Sequence, residues 1–295
     1  MSIDLSALPA PEVVEPLDYE TIYQQSLVLF RAGLPGWTAA IESDSVVQAL
    51  EVAAYRELSL RARTNEAWQQ STLAYATGND LEHVAARVGV SRALITPADP
   101  STNPPTPAVY ESDARLRYRA QLAPEALAIG SAEYYTARAL EYSGAVVDVH
   151  VYSPAPVEVR IVVQAAAGAP SAELLSGVQA YCRAERGAKN RSLTDHIIAE
   201  PAIIRHVSLR VGLKVAEGPT WGLIESAARA AFAAELIAND PLKRPSRLGQ
   251  TVDKSAVYAA MRRPGVLRVD IGDFDDIICA ASEAPIIELS IYQLT

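Results

Sequence analysis

Residues 143–163 read Ser-Gly-Ala-Val-Val-Asp-Val-His-Val-Tyr-Ser-Pro-Ala-Pro-Val-Glu-Val-Arg-Ile-Val-Val. Two β-branched runs flank a Ser-Pro-Ala-Pro turn, which predicts a strand from Ala145 to Tyr152 and a second from Val157 to Val163. Val157, Val159, Ile161 and Val163 stand at alternate positions, so they share one face of the second strand. Gly144 sits where a preceding helix, about 131–142, would end and the chain turn into the first strand. A helix at about 171–185 and a strand near 193–199 complete a small α+β unit.

A second unit of the same texture follows. It contains a strand from Ile203 to Val215, a helix at about 219–238, a loop with Pro241 and Pro245, and a helix at 253–262. Strands at Val266–Ile271 and 285–292 close it. There is an internal echo. Tyr134–Val149 runs helix, Gly144, then Val146, Val147 and Val149; residues 255–271 run helix, Gly265, then Val266, Leu267, Val269 and Ile271. Two related modules, split-βαβ-like, or a chance similarity, both fit that pattern.

Upstream the chain is helical. A short helix is expected at about 18–32, stopped by Gly33, Pro35 and Gly36. Ser45 with Gln48 has capping-box spacing, and Gly78 supplies a stop. Between them Val47, Leu50, Ala54, Leu58 and Ala62 recur at helical spacing, while Arg56, Arg61 and Arg63 lie off that stripe. The result would be a strut of roughly 30 residues, about 45 Å long. Asn79 and Glu82 open another short helix ending near Gly89. Pro97, Pro100, Pro104, Pro105 and Pro107 then mark an extended, polyproline-like connector. A helix at about 111–123 follows, whose Arg115, Arg117 and Arg119 do not share one face. The N-terminal stretch carries Pro9, Pro11 and Pro16 among Leu5, Leu8, Val13 and Val14, and reads as an apolar arm. The organisation expected is therefore an arm and short helix (1–40), a long helix and bundle segment (41–94), a proline-rich connector with a helix (95–130), and α+β modules at 131–200 and 201–295.

Composition narrows the function. With 295 residues, 49% hydrophobic, the chain has ample material for folded cores. A net charge of −9 and a pI near 5.1 argue against a nucleic-acid partner, which demands a basic stripe. No signal peptide opens the sequence and no apolar run is long enough to span a bilayer, so no membrane role is expected. Synthesis in a reducing cytoplasm follows, with Cys182 and Cys279 as small buried residues. Aromatics are only 6%, and alanine blocks such as Ala227-Ala228 and Ala230-Ala231 bury little area each. Partner surfaces would help complete such cores.

The motifs of chemistry are missing. The sequence has no phosphate-binding glycine loop, no Gly-x-Ser-x-Gly elbow and no His-Glu-x-x-His helix. His83, His150, His196 and His206 are scattered without ligand spacing. Asp270, Asp273, Asp275 and Asp276 form an acidic loop that could hold a hard cation and serve a metal-dependent hydrolase. It lacks the glycine and terminal glutamate of a calcium loop, and a solvated turn explains it as well. Arg183, Arg186, Lys189 and Arg191 make a basic group suited to an acidic neighbour or to an ordinary helix end. Asn190-Arg191-Ser192 matches a glycosylation sequon that has no meaning without secretion. No catalytic, cofactor-binding or metal residue is assigned, and a generic protein-binding module stands as a further alternative.

One set of residues carries a resemblance. In order they are Pro9-Ala10-Pro11-Glu12-Val13-Val14, Ala76-Thr77-Gly78-Asn79-Asp80-Leu81-Glu82, Thr96-Pro97-Ala98, and Pro104-Pro105-Thr106-Pro107-Ala108-Val109. Glu111-Ser112-Asp113 with Arg115, then Asp148-Val149 and Ser153-Pro154, follow. The run resembles the baseplate J-like proteins of contractile-tailed phages and of headless R-type bacteriocin particles, most densely over residues 1–160. Val157 departs from it, because glycine is expected after Pro156. The resemblance implies a structural wedge subunit: two copies join one copy of a second baseplate protein through N-terminal helices. C-terminal regions, here 201–295, meet between neighbouring wedges and close a sixfold ring. That ring surrounds the hub and relays the trigger for contraction to the sheath. It implies no cofactor, and a place in the assembled baseplate.

Overall fold

A computed structural model describes residues 5, 8–9, 15–37, 44–166, 168–183, 194–218, 220–238, 240, 244 and 246–294. The chain divides into two compact units between Arg87 and Val88.

The first unit is helical: α1 (Tyr19–Gly33), α2 (Ser45–Gln70) and α3 (Gly78–Ala86). Asp18 caps α1 by accepting the Glu20 amide at 3.2 Å. The cap of α2 is Asp44 rather than Ser45; its carboxylate accepts the Val46 amide at 2.8 Å. The strut is also shorter than expected. It has 26 residues, about 39 Å at 1.5 Å per residue, and stops eight residues before Gly78. Local polar groups end it: the Ser71 and Thr72 hydroxyls donate to the carbonyls of Trp68 and Gln69, at 2.7 and 2.9 Å. Gly78, at φ 54°, is instead the first residue of α3. The α2 stripe faces inward, with Val47 and Ala54 buried and Leu50, Leu58 and Ala62 half-buried. α1 packs against α2.

The second unit opens with a surprise in the proline-rich stretch. It is not an extended connector but a hairpin, with β1 (Leu94–Thr96) antiparallel to β2 (Val109–Tyr110). Asp99 and Thr106 exchange backbone hydrogen bonds of 3.0 Å each way. All five prolines lie between the two strands, where no amide of the β1–β2 ladder is lost to them. Next come α4 (Asp113–Leu122), a 3-10 turn at Glu125–Leu127, and α5 (Ala132–Tyr142). Ser112 and Ser131 cap the two helices.

The first α+β module then adds β3 (Val146–Tyr152), β4 (Glu158–Ala165), α6 (Ala172–Arg183) and β5 (His196–Pro201) in a sheet ordered β3-β4-β5. β3 is antiparallel to β4, and β5 is parallel to it. Ile161, Val163 and Val159 face α5 and α6 in one core with Tyr135, Leu140, Val178, Cys182 and Ile197.

The second module comprises β6 (Ile203–Val215), α7 (Trp221–Ala238), β7 (Thr251–Val252), α8 (Lys254–Met261), β8 (Val266–Asp270), β9 (Ile277–Ile278) and β10 (Glu283–Gln293). Its main sheet is ordered β10-β6-β8, with β10 parallel to β6 from Glu283↔Ile203 to Gln293↔Leu213. β7 and β9 form a separate ribbon. A second core gathers Leu209, Val211, Leu213, Ile224, Phe232, Val257, Met261 and Ile291.

The echo in the sequence has a structural basis. Each module has a central strand (β4 or β6) followed by a helix (α6 or α7). Each has an antiparallel neighbour (β3 or β8) that follows a helix and a glycine, and a parallel neighbour on the other side (β5 or β10). The chain visits these parts in different order, α5-β3 before β4 in the first and α8-β8 after β6 in the second. In both, the parallel strands are immediate neighbours, so neither module is split in the sense expected. The two glycines also differ. Gly265 adopts φ 90°, whereas Gly144 is needed for space, since a Cβ there would lie 2.6 Å from Ile95 Cγ1.

Candidate functional site

The candidate chemical residues are occupied with the fold. Asp270 accepts the Gly272 amide at 3.1 Å, an Asx turn, and Asp276 accepts the Lys254 amide at 2.7 Å, capping α8 from a distant loop. Among the described residues no group of three or more His, Cys, Asp or Glu is placed to hold a metal ion. His83 lies on α3, His150 stacks on Tyr152 in β3 with rings 5.8 Å apart, and His196 and His206 lie on β5 and β6. Cys182 and Cys279 are both buried and free; burial pushes the Cys182 thiol up to about 12 and raises Cys279 as well. Arg183 donates to the Ile197 carbonyl at 3.1 Å; Arg186, Lys189 and Arg191, like the sequon at 190–192, lie outside the described residues. No helix among the described residues is long and apolar enough to cross a membrane.

What the first unit offers is surface. Its buried apolar side chains are Ile22, Leu27, Val47 and Leu81, with Ala54, Ala76 and Ala85. Against these stand exposed Leu17, Leu34, Val52, Tyr55, Leu60 and Trp68, and on α1 Val28 and Leu29, 64% and 74% exposed. Val28 and Leu29 share a shallow groove with Thr21, Gln24 and Gln25. Val52 and Tyr55 lie three residues apart on α2, on the side away from the Val47–Ala54 stripe. Among its described residues this unit exposes more large apolar side chains than it buries, which leaves apolar surface open to solvent. The stripe that helical spacing picks out in the sequence is the one turned inward. Periodicity identifies a face, but not whether the same chain or another one covers it.

The N-terminal arm is anchored on this unit where it is described. The Asn65 side chain, buried on α2, accepts the Glu15 amide at 2.9 Å and donates to the Glu15 carbonyl at 2.8 Å, as a peptide group would. Arg61 pairs with the Glu15 carboxylate at 3.1 Å, and the Tyr75 hydroxyl donates to the Leu8 carbonyl at 2.7 Å. An Asn at position 65, eighteen residues (five helical turns) after Val47 and so on the same face, was the available sequence signal.

In the second unit, the Glu111-Ser112-Asp113-x-Arg115 segment organises the N-terminal half. Glu111 is 2% exposed and its carboxylate receives Arg115 Nε at 3.0 Å, Arg119 Nη1 at 2.6 Å and the Ala93 amide at 2.9 Å. Arg115 also donates to the carbonyls of Leu140, Ser143 and Val146. Arg92 pairs with Asp113 at 2.7 Å. Hairpin, α4, α5 and β3 are thus tied together by one buried charge cluster. Next to it runs a groove of about 690 Å³, rimmed by Leu94, Leu127 and Ile129 and floored by Arg138. Arg138 stacks over the Tyr181 ring at 4.5 Å and donates to the Tyr181 carbonyl at 2.6 Å.

Comparison with known proteins bears on this arrangement. Residues 42–99 match the model of the baseplate J-like N-terminal domain. Baseplate protein J of Escherichia phage P2 is 36% identical over 293 residues, covering 96% of this chain and 94% of that protein. A chain in the cryo-EM structure of the anti-feeding prophage baseplate, 6-fold symmetrised, aligns at 17% identity with a TM-score of 0.39, covering 62% of this chain and 43% of that one. With more than a third of its residues identical to that phage protein along nearly the whole length of both, this chain belongs to the baseplate J-like family.

Proposed function

We propose that this chain is a structural baseplate protein of a contractile tail, acting as a wedge subunit rather than as a catalyst. The observation that carries the reading is the near full-length identity with the phage P2 baseplate protein. The exposed apolar helices of the first unit support it, because they supply the surface that joining to other chains requires. In this reading two copies join one copy of a second wedge protein through α1 and α2. Neighbouring wedges meet through residues 201–295 to close a sixfold ring around the hub, and the ring relays the trigger to the sheath. The chain is made in the cytoplasm of the bacterial host and functions in the assembled baseplate of a phage or a headless particle.

The test is co-expression with the neighbour-encoded partner, followed by size-exclusion chromatography with light scattering. A complex of two copies to one partner is expected. Leu29→Glu and Val52→Glu place a charge on the exposed faces, and an unpaired charge buried at an interface costs several kcal/mol. These variants should fold and fail to form the complex. Leu58→Glu, on the half-buried inner stripe, should instead damage the unit itself. Normal complex formation by both Leu29→Glu and Val52→Glu would reject this docking face, and a monomer indifferent to the partner would reject the wedge.

A further inference from the structure

We infer that the two α+β modules of the second unit form a hinged pair, held closed by an ionic latch centred on Arg244. Their apolar cores are separate clusters, one around Ile161 and Tyr135 and the other around Val211 and Met261. The chain passes from one sheet to the other at a single residue, Ala202, between the end of β5 and the start of β6. Its amide donates to the Val163 carbonyl at 2.9 Å, and the turn at Gly168 lies beside Ile204 and Ile286. That is the pivot.

A second attachment among the described residues is polar. Arg244, in the loop after α7, pairs with Asp148 of β3 at 2.8 Å and with Asp240 at 2.8 Å, and donates to the Val147 carbonyl at 3.2 Å. Asp148 also accepts the Leu248 amide at 2.9 Å, and the Gln164 amide nitrogen of β4 donates to Ser246 Oγ at 3.0 Å. β3 is two strands from β5, so the latch grips roughly 10 Å across the sheet from the pivot. One atom in this seam is left over: Gln164 Oε1 is buried and has no hydrogen-bond partner among the described residues. Charged and amide groups regain hydration when such a seam opens, whereas separating an apolar core gains nothing from water. Polar seams between separately cored bodies are where relative motion is expected. Opening at Arg244 would swing the second module about Ala202 with both cores intact. The inference stands on the second unit alone and does not depend on the wedge reading.

Native-state hydrogen exchange on the full chain tests it. The Leu248 amide, whose acceptor lies across the seam, should exchange through an opening that leaves the amides of Ile161–Val163 and Val211–Leu213 protected. Arg244→Ala should speed Leu248 exchange by roughly tenfold or more and leave those core amides unchanged. Should Arg244→Ala not fold, Ser246→Ala, which removes only the Gln164 contact, should raise Leu248 exchange several-fold in the same selective way. Leu248 exchanging only together with both cores in the parent protein, or a variant that speeds all of them equally, overturns the latch.

Discussion

The left-handed backbone of Val157 fixes the sign of a glycine–alanine comparison at that position. The chain turns from β3 to β4 through Ala155-Pro156-Val157-Glu158, and the Glu158 amide donates to the Ala155 carbonyl at 3.1 Å. With proline second and φ 75° at the third residue, this is a type II turn carrying valine where glycine is required. A β-branched residue rarely adopts that conformation. The perturbation is a pair of variants, Val157→Gly and Val157→Ala, which remove the same side-chain contacts beyond Cβ. At ordinary φ, glycine is less stable than alanine by about 0.5–1 kcal/mol, through the entropy of the unfolded chain. In the left-handed region the alanine Cβ costs about 1–2 kcal/mol. The balance spans about 0–1.5 kcal/mol in favour of glycine, and its midpoint in a unit of this size is about 1.5–3 °C in Tm. Val157 is 56% exposed, so glycine should also equal or exceed the parent. Thermal unfolding followed by circular dichroism reads the difference. If the alanine variant melts above the glycine variant, residue 157 does not hold a left-handed conformation. The same change would restore the glycine that the family resemblance leads one to expect.

Glu111→Gln keeps the shape of the buried cluster but strands Arg115 and Arg119, and should lower stability by about 3–5 kcal/mol in urea unfolding; a loss below 1 kcal/mol would mean the cluster is hydrated. At Asp240 burial alone would raise the carboxyl, but the hydrogen bonds and charge of Arg244, with Arg247 beyond, leave it below the ordinary range. A depressed carboxylate stabilises the fold above the unfolded pKa of about 3.9 and loses that contribution as pH falls through the folded value. The parent Tm should therefore fall more steeply than that of Asp240→Asn as the pH drops below about 4, and parallel curves would rule out this source.

Much of the secondary structure was legible because its causes are local. Alternating Val and Ile residues set β3 and β4, and β6 spans Ile203–Val215 as its β-branched pattern implies. The end of α2 was misread because Gly78 looked like the stronger stop. The hydroxyls of Ser71 and Thr72 act first, bonding carbonyls one turn back. In the acidic loop Asp270 closes a local turn, whereas Asp276 caps α8, a contact that only the tertiary placement of that helix makes possible.

Three matters were settled by the tertiary structure alone. The proline-rich stretch folds back because Glu111, eighteen residues from Ala93, bonds both its backbone and its carboxylate to that residue. The parallel strands of each module are neighbours because hydrogen bonding joins strands far apart in sequence, as with Ile203 and Glu283. The stripe of α2 turns inward because α1 lies on it, which leaves Val52 and Tyr55 as the open face. Propensity, capping and periodicity act over a few residues and are written in the sequence. Which groups meet across dozens of residues depends on burying apolar area and pairing every buried polar atom at once, and that is decided only when the chain closes on itself.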